Sequence, residues 1–260
     1  MIKGKRMERR LRRRRVILRL FLFILILFSS YLFIFQTHFF NIVDIEVIGV
    51  DRIEPEQIIE ASPYSVGINI FKIDKGLWEE ALNAIPYIRN SRVSRSLPDR
   101  IIIEVEERTE VAVIPHIGAL VHIDEEGYIL SIEQENEGID LPRIVGLELK
   151  GPEVRDNVFE LLEISDMTEF ILLGQKSGLF SMMKHIDCSD MNNIIIGLKN
   201  GIKVAFGPLH NVKYKYSFLH HILEDIEKED RDVRRILFNK GGNPVVITGS
   251  QQGELYEEDE

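Results

Sequence analysis

Apolar and polar positions change their spacing repeatedly along this chain, and each change predicts an element. From Val16 to Phe35 the residues are uncharged except Arg19, and all but Ser29 and Ser30 of the rest are bulky. A helix of that length spans roughly 30 Å, the thickness of a bilayer's hydrocarbon core. Over Asn41–Val50 the pattern alternates, with Val43, Ile45 and Val47 against Asp44 and Glu46, which predicts a half-buried strand ending at Gly49. Glu54–Ser62 is helix-like, with Pro55 near its first turn. Asp74 is placed to cap a second helix in which Leu77, Trp78, Ala81, Leu82 and Ile85 recur at helical spacing before Pro86. Ser91–Ser96 and Arg100–Glu107 flank Leu97-Pro98-Asp99 and predict a hairpin.

The second half mixes strands and helices. Leu120–Ile123 and Tyr128–Ile132 are predicted strands joined by Asp124-Glu125-Glu126-Gly127, and Val154, Val158, Leu161 and Leu162 mark one face of a helix. Ile194–Lys199 and Ile202–Phe206 flank Asn200-Gly201, a strong hairpin signal because both residues accept positive φ. From Asn211 onward Val212, Tyr216, Leu219, Leu223 and Ile226 define a long amphipathic helix. Arg234–Phe238 and Val245–Thr248 read as two final strands around Lys240-Gly241-Gly242-Asn243-Pro244. Gln251–Glu260 has five acids and no base, a composition expected to stay disordered.

Charge sharpens the picture. The 260 residues carry −10 overall, but residues 1–19 hold ten basic side chains against Glu8 alone, a local +9, so residues 20–260 carry −19. An acidic body repels phosphates, which excludes one continuous nucleic-acid-binding surface. Topology and anionic lipid headgroups account for the basic arm, which places the N-terminus in the cytoplasm and the chain beyond about Gln36 outside. No small-x-small cleavage site ends the apolar run, so an uncleaved anchor is expected over its competitor, a cleavable signal peptide. Cys188 is the only cysteine, which excludes an internal disulfide and suits a buried small hydrophobe.

Several segments resemble a known module. Phe40-Asn41-Ile42 leading into Ile45–Gly49, the link Gly67-Ile68-Asn69-Ile70-Phe71-Lys72-Ile73-Asp74, and Val93–Pro98 with Ile101–Arg108 are similar to the opening strand, link and closing hairpin of a POTRA domain. Behind a single apolar helix with a basic arm, this pattern resembles the FtsQ/DivIB family of bacterial cell-division proteins. Asp124–Gly127, Leu141-Pro142-Arg143-Ile144-Val145-Gly146 and Gly242–Val246 resemble motifs of that family's β-domain. One departure stands out: the family commonly has an Asp-Leu-Arg-like triplet after its last helix, where this chain has Leu237-Phe238-Asn239.

The expected fold is therefore α+β: a single transmembrane helix, then a POTRA domain (β-α-α-β-β) and a mixed β-sheet domain with flanking helices. The expected boundaries are a basic cytoplasmic tail over 1–15, the transmembrane helix over 16–35, the POTRA domain over 39–108, the β-domain over 109–249 and an acidic tail over 250–260.

Motifs for chemistry are missing from the sequence. Its seven histidines form no HExxH, one cysteine cannot make a CxxC zinc site, and no G-x-S-x-G, P-loop or Rossmann fingerprint occurs. His220 and His221 are neighbours on a helix and diverge by about 100°. Glu104, Glu106 and Glu107 with Asp124, Glu125 and Glu126 could be imagined as a glycosidase pair, but alternating strand acids are a solvated face and turn acids are turn chemistry. No catalytic residue, cofactor or metal is expected.

What the resemblance implies is a non-catalytic scaffold of the division septum that holds small single-pass coiled-coil proteins of the FtsL and FtsB/DivIC class. It would thereby help regulate the septal peptidoglycan synthesis machinery. The alternative is a membrane-anchored cell-wall hydrolase. The candidate partner-binding residues are Leu237, Phe238, Asn239, Val245, Val246 and Ile247. Val245–Thr248 carries no charge, although exposed edges are normally blunted. An uncharged edge suits the addition of a partner strand. The competing reading makes Val245–Thr248 an internal strand of the sheet.

Overall fold

A computed structural model describes residues 2–134, 138–229, 231–238 and 243–249, with residues 2–13 as backbone. The expected acidic tail, residues 250–260, lies outside them, as does Asn239. The chain divides into two compact units, Met1–Glu107 and Arg108–Glu260.

The first unit begins with a helix, α1 (Ile2–Gln36), whose stretch Arg14–Gln36 is long and apolar enough to cross a membrane. It continues with β1 (Asp44–Ile48), α2 (Pro55–Glu60), α3 (Lys75–Asn83), β2 (Ile88–Ser96) and β3 (Arg100–Glu107). The sheet order is β1-β3-β2, with β1 parallel and β2 antiparallel to the central β3. Asp74 caps α3 as its position predicts, its Oδ1 accepting from the backbone N–H of Gly76 and Leu77 at 3.0 and 3.3 Å. Alternate strand residues Ile45, Val93, Ile101, Ile103 and Val105 meet Ile58, Trp78 and Leu82 in one core. Leu77 departs from its expected place and is exposed, because Trp78 and Leu82 alone fill the buried face of a short helix.

The second unit carries β4 (Ala112–His116), β5 (Ala119–Ile123), β6 (Ile129–Gln134), β7 (Arg143–Val145), α4 (Val158–Leu161), α5 (Asp166–Lys176), β8 (Met183–Asp187), β9 (Ile194–Leu198), β10 (Lys203–Gly207), α6 (Val212–Glu229), β11 (Val233–Leu237) and β12 (Val245–Thr248). Its strands form one mixed sheet in the order β12-β11-β10-β9-β8-β7-β4-β5-β6. The helices cover one face: Phe159, Phe170, Ile171, Tyr216 and Leu219 pack on Ile144, Ile186, Ile196, Val204, Phe206 and Ile236. The buried Tyr216 hydroxyl donates to the Phe170 carbonyl at 3.1 Å and thereby ties α6 to α5.

One local departure has a clear cause. The helix expected around Val154–Leu162 is a single turn, started by the Asn157 side chain, which accepts from Phe159 and Glu160, and followed by Glu163 at φ +57°. Val154 and Leu161 are accordingly exposed. Cys188 is buried, and burial pushes its thiol pKa up to about 12.

Candidate functional site: the terminal strand of the mixed sheet

The sheet of the second unit has two ends, and they are built differently. At one end β6 is partly covered, since Ile129 donates to the Asp156 carbonyl and Arg155 donates back to Ile129. Glu133 adds a charge to its free part, a usual way of blunting an edge. At the other end β12 pairs antiparallel with β11 through Leu237 opposite Val245, Ile236 opposite Val246 and Arg235 opposite Ile247. Among the described residues no strand lies beyond it.

Pairing with β11 settles which way each side chain points, because opposed residues share a face. Ile236 belongs to the core beneath the helices, so Val246 faces that core and is half-buried against it. Phe238 turns the same way, its ring 6.0 Å from Phe206. Leu237 and Ile247 face the opposite side and close a small apolar cluster with Ala205. Val245, on that side too, is 45% exposed. Five of the candidate residues are thus brought together on one strand pair but divided between two faces, and Asn239 lies outside the described residues.

β11 is itself held on its inner side by parallel pairing to β10, with Ala205 opposite Leu237, and by the Phe238 amide donating to the Ala205 carbonyl at 2.9 Å. The chain reaches this position through α6, whose Lys215 donates to the carbonyls of Phe206 and Pro208 at 2.9 and 2.6 Å. Burial lowers the Lys215 pKa.

The sheet face away from the helices carries a feature that sequence reading missed. The strand registers align Ile247, Arg235, Lys203, Gly197, His185 and Arg143 in one row across six strands. Gly197 makes room for its neighbour, since a Cβ there would stand 2.1 Å from Cε1 of His185. Four basic or imidazole side chains therefore share one row in a strongly acidic body, beside a groove that also includes Asp187 and Asp232. Ser189 holds the Asp187 pKa down by side-chain and backbone hydrogen bonds at 2.7 and 3.0 Å, with a smaller contribution from His185. The two adjacent arginines in Val233-Arg234-Arg235-Ile236-Leu237 were the visible signal.

Three of the carboxylates considered for glycoside chemistry are held in structural contacts. Asp124 is fully buried and, with Glu126, binds Nη1 of Arg108. Oδ1 of Asp124 also accepts from the backbone of Glu126 and Tyr128 at 3.0 and 2.8 Å, which closes the turn. Glu107 accepts from the amides of Arg52 and Ile53, both at 2.9 Å. Among the described residues no three His, Cys, Asp or Glu side chains converge as a metal site requires.

Among the described residues, one helix long and apolar enough to cross a membrane precedes a β-α-α-β-β module of POTRA type and a mixed sheet ending in an uncharged strand. Residues 40–108 match the family model for the POTRA domain, FtsQ-type. Over 218 residues the chain is 28% identical to cell division protein DivIB of Clostridium tetani, which covers 82% of this chain and 81% of that protein. It is 33% identical over 116 residues to DivIB of Clostridium acetobutylicum, covering 45% of this chain and 47% of that one. To cell division protein FtsQ of Myxococcus fulvus it is 31% identical over 103 residues, 40% of this chain and 36% of that one. A solved structure, the major extracytoplasmic domain of DivIB from Geobacillus stearothermophilus, aligns at 17% identity and a TM-score of 0.34 over 47% of this chain and 97% of that one. The chain thus contains an FtsQ-type POTRA domain over residues 40–108 and is similar to FtsQ and DivIB cell-division proteins.

Proposed function

We propose that this protein is a non-catalytic bitopic scaffold of the division septum, its N-terminus cytoplasmic and its folded units outside. In this reading β12 takes up a strand from small single-pass coiled-coil partners of the FtsL and FtsB/DivIC class, and the assembly helps regulate septal peptidoglycan synthesis. The observation that carries it is the position of β12: a terminal, uncharged strand with Val245 exposed, on a sheet whose other end is partly covered and charged. Strand addition uses the free backbone groups for affinity and alternate side chains for specificity. Exposed Val245, opposite Leu237, would meet the partner beside the apolar cluster.

Adjacent residues of an antiparallel edge strand alternate between donating to their neighbour and donating outward. Val246→Pro and Ile247→Pro are therefore a matched pair. One should abolish partner binding while leaving the unit folded, and the other should weaken the unit itself by removing a ladder hydrogen bond. A photoreactive side chain at Val245 should crosslink to the partner in cells more efficiently than one at core-facing Val246. Full partner binding by both folded proline variants overturns strand addition at β12.

A further inference from the structure

The end of the POTRA module nearest α1 is unusually apolar. Among the described residues of 39–107, seven large apolar side chains are exposed: Phe39, Val43, Ile48, Val66, Phe71, Leu77 and Leu97. Five of them, Phe39, Val43, Val66, Phe71 and Leu97, are between 37% and 66% exposed and gather at one end of the module. Backbone hydrogen bonds fix that grouping. Ile42 donates to Ile68 and Gly67 donates to Ile42, while Ile70 donates to Phe40 and Val43 to Asp99, at 2.7–2.8 Å. Each apolar side chain therefore sits within a few residues of a backbone bond to the segment that leaves α1.

The same end is locked onto the helix. Asn69, itself buried, donates from Nδ2 to the Ile34 carbonyl at 2.7 Å, occupying a carbonyl of the last turn that the helix leaves without an internal partner. Its Oδ1 accepts from the Phe71 amide at 3.0 Å. Phe71 then meets Phe35 edge-on at 6.3 Å and Phe40 at 5.3 Å, and Phe39 packs against Phe33 and Phe40. Arg95 stiffens the link from the far side, donating to the carbonyls of Ile70 and Ile73 at 2.8 and 2.9 Å. Lys72 is exposed next to Phe71.

If Val16–Phe35 spans the bilayer, Ile34 and Phe35 lie at the outer boundary of the hydrocarbon. Phe71, in ring contact with Phe35, lies at that depth too. Phe and Leu side chains bury at this headgroup–acyl boundary, and a lysine beside them can keep its charged head among the headgroups. We propose that the POTRA module is seated on the outer surface of the membrane through a collar of Phe39, Val43, Val66, Phe71 and Leu97, with Asn69 as the latch to α1. The occupant of the apolar end is the phospholipid surface continuous with the one that surrounds α1. The module is then held at a fixed height instead of swinging on a tether. This inference rests on α1 spanning a membrane, part of the function proposed above.

The test uses the full chain in nanodiscs of phosphatidylethanolamine and phosphatidylglycerol, with Cys188→Ser and single nitroxide labels at Ile24→Cys, Lys72→Cys, Val66→Cys or Glu104→Cys. Glu104 pairs with Ile48, one strand length from Val43, and serves as the distant control. Collision with oxygen against a water-soluble nickel chelate reads depth. We expect the labels at 72 and 66 to be several-fold less accessible to the chelate than the label at 104. Asn69→Ala with Phe71→Ser should raise chelate accessibility at 66 towards the control. A deep label at 24 combined with water-like labels at 66 and 72 overturns the seat and leaves the membrane span intact. A water-like label at 24 overturns both.

Discussion

The Arg108 guanidinium lies 4.0 Å above the ring of Tyr128 while its Nη1 binds Asp124 and Glu126. Burial alone would lower the arginine pKa, and the hydrogen bonds to Glu126 and Asp124 outweigh it and leave it raised. Because Asp124 is fully buried, removing its cation strands a carboxylate away from water. Arg108→Ala should destabilise the second unit by about 3–5 kcal/mol. Adding Asp124→Asn should cost much less than the sum of the two single changes. Urea-dependent alkylation of Cys188, the one thiol and a buried one, reads this unit directly.

That thiol carries its own prediction. With its pKa pushed up to about 12 and its side chain buried, Cys188 should resist iodoacetamide at pH 8 in the native chain. It should react at the rate of an unstructured thiol once urea opens the sheet. Rapid native labelling would contradict its place in the core.

Trp78 plays the matching part in the first unit, where it is wholly buried and is the chain's one tryptophan. Its Nε1 has no hydrogen-bond partner among the described residues, so its contribution is packing against neighbours such as Tyr64, 5.5 Å away between ring centres. Trp78→Ala should cost about 3–5 kcal/mol and Trp78→Phe about 1–2 kcal/mol, by thermal unfolding.

Glu107 sets a pH dependence. Burial alone would raise its pKa, but the amides of Arg52, Ile53 and Asp51 outweigh that and hold it below the ordinary 4.5. A carboxyl depressed on folding stabilises the fold above its unfolded pKa and loses that contribution as pH falls through the folded value. Glu107→Gln should therefore lower stability by about 1 kcal/mol at neutral pH. As pH falls below 4.5 and then through the folded value the two proteins should converge, as followed by Trp78 fluorescence in urea.

Gly127 stands at φ +90°, and a Cβ there would lie 2.5 Å from the buried ring of Phe159. Gly127→Ala combines backbone strain with overpacking and should cost roughly 2–4 kcal/mol. Gly118, also at positive φ but with open space around it, supplies the control for strain alone.

The features legible in the sequence were those with strong local chemistry. Asp74 before an apolar repeat, Asn200-Gly201 between apolar runs and the Val212-to-Leu223 stripe each specify an element without outside help. α5 carried an equally clear signal, Met167, Phe170, Ile171 and Gly174 on one buried face, and went unread. β4 was harder, because Val111–Ile114 is a short unbroken apolar run that fits helix or strand alike. At the candidate site, the missing charge in Val245–Thr248 pointed to that strand. Four uncharged residues cannot declare which two face the core, so Val246 is by sequence as suitable a contact as Val245. Only the pairing with Ile236 and Leu237 separates them. Of the row from Arg235 to Arg143 only the arginine end shows in the sequence, since the row joins residues about ninety positions apart through strand registers.

The order in which the sheet is assembled bears on when the protein can work. β12 and its support β11 come from residues 233–248, downstream of all the other described strands, and β11 joins by parallel pairing after the crossover through α6. Parallel additions of this kind close long loops and form slowly. A chain growing from its N-terminus can bury the first unit, and most of the second, while its terminal strand has yet to be made. Any partner that recognises β12 would thus be reading a late step in the assembly of this sheet, and recruitment would be confined to molecules whose sheet is complete to β12.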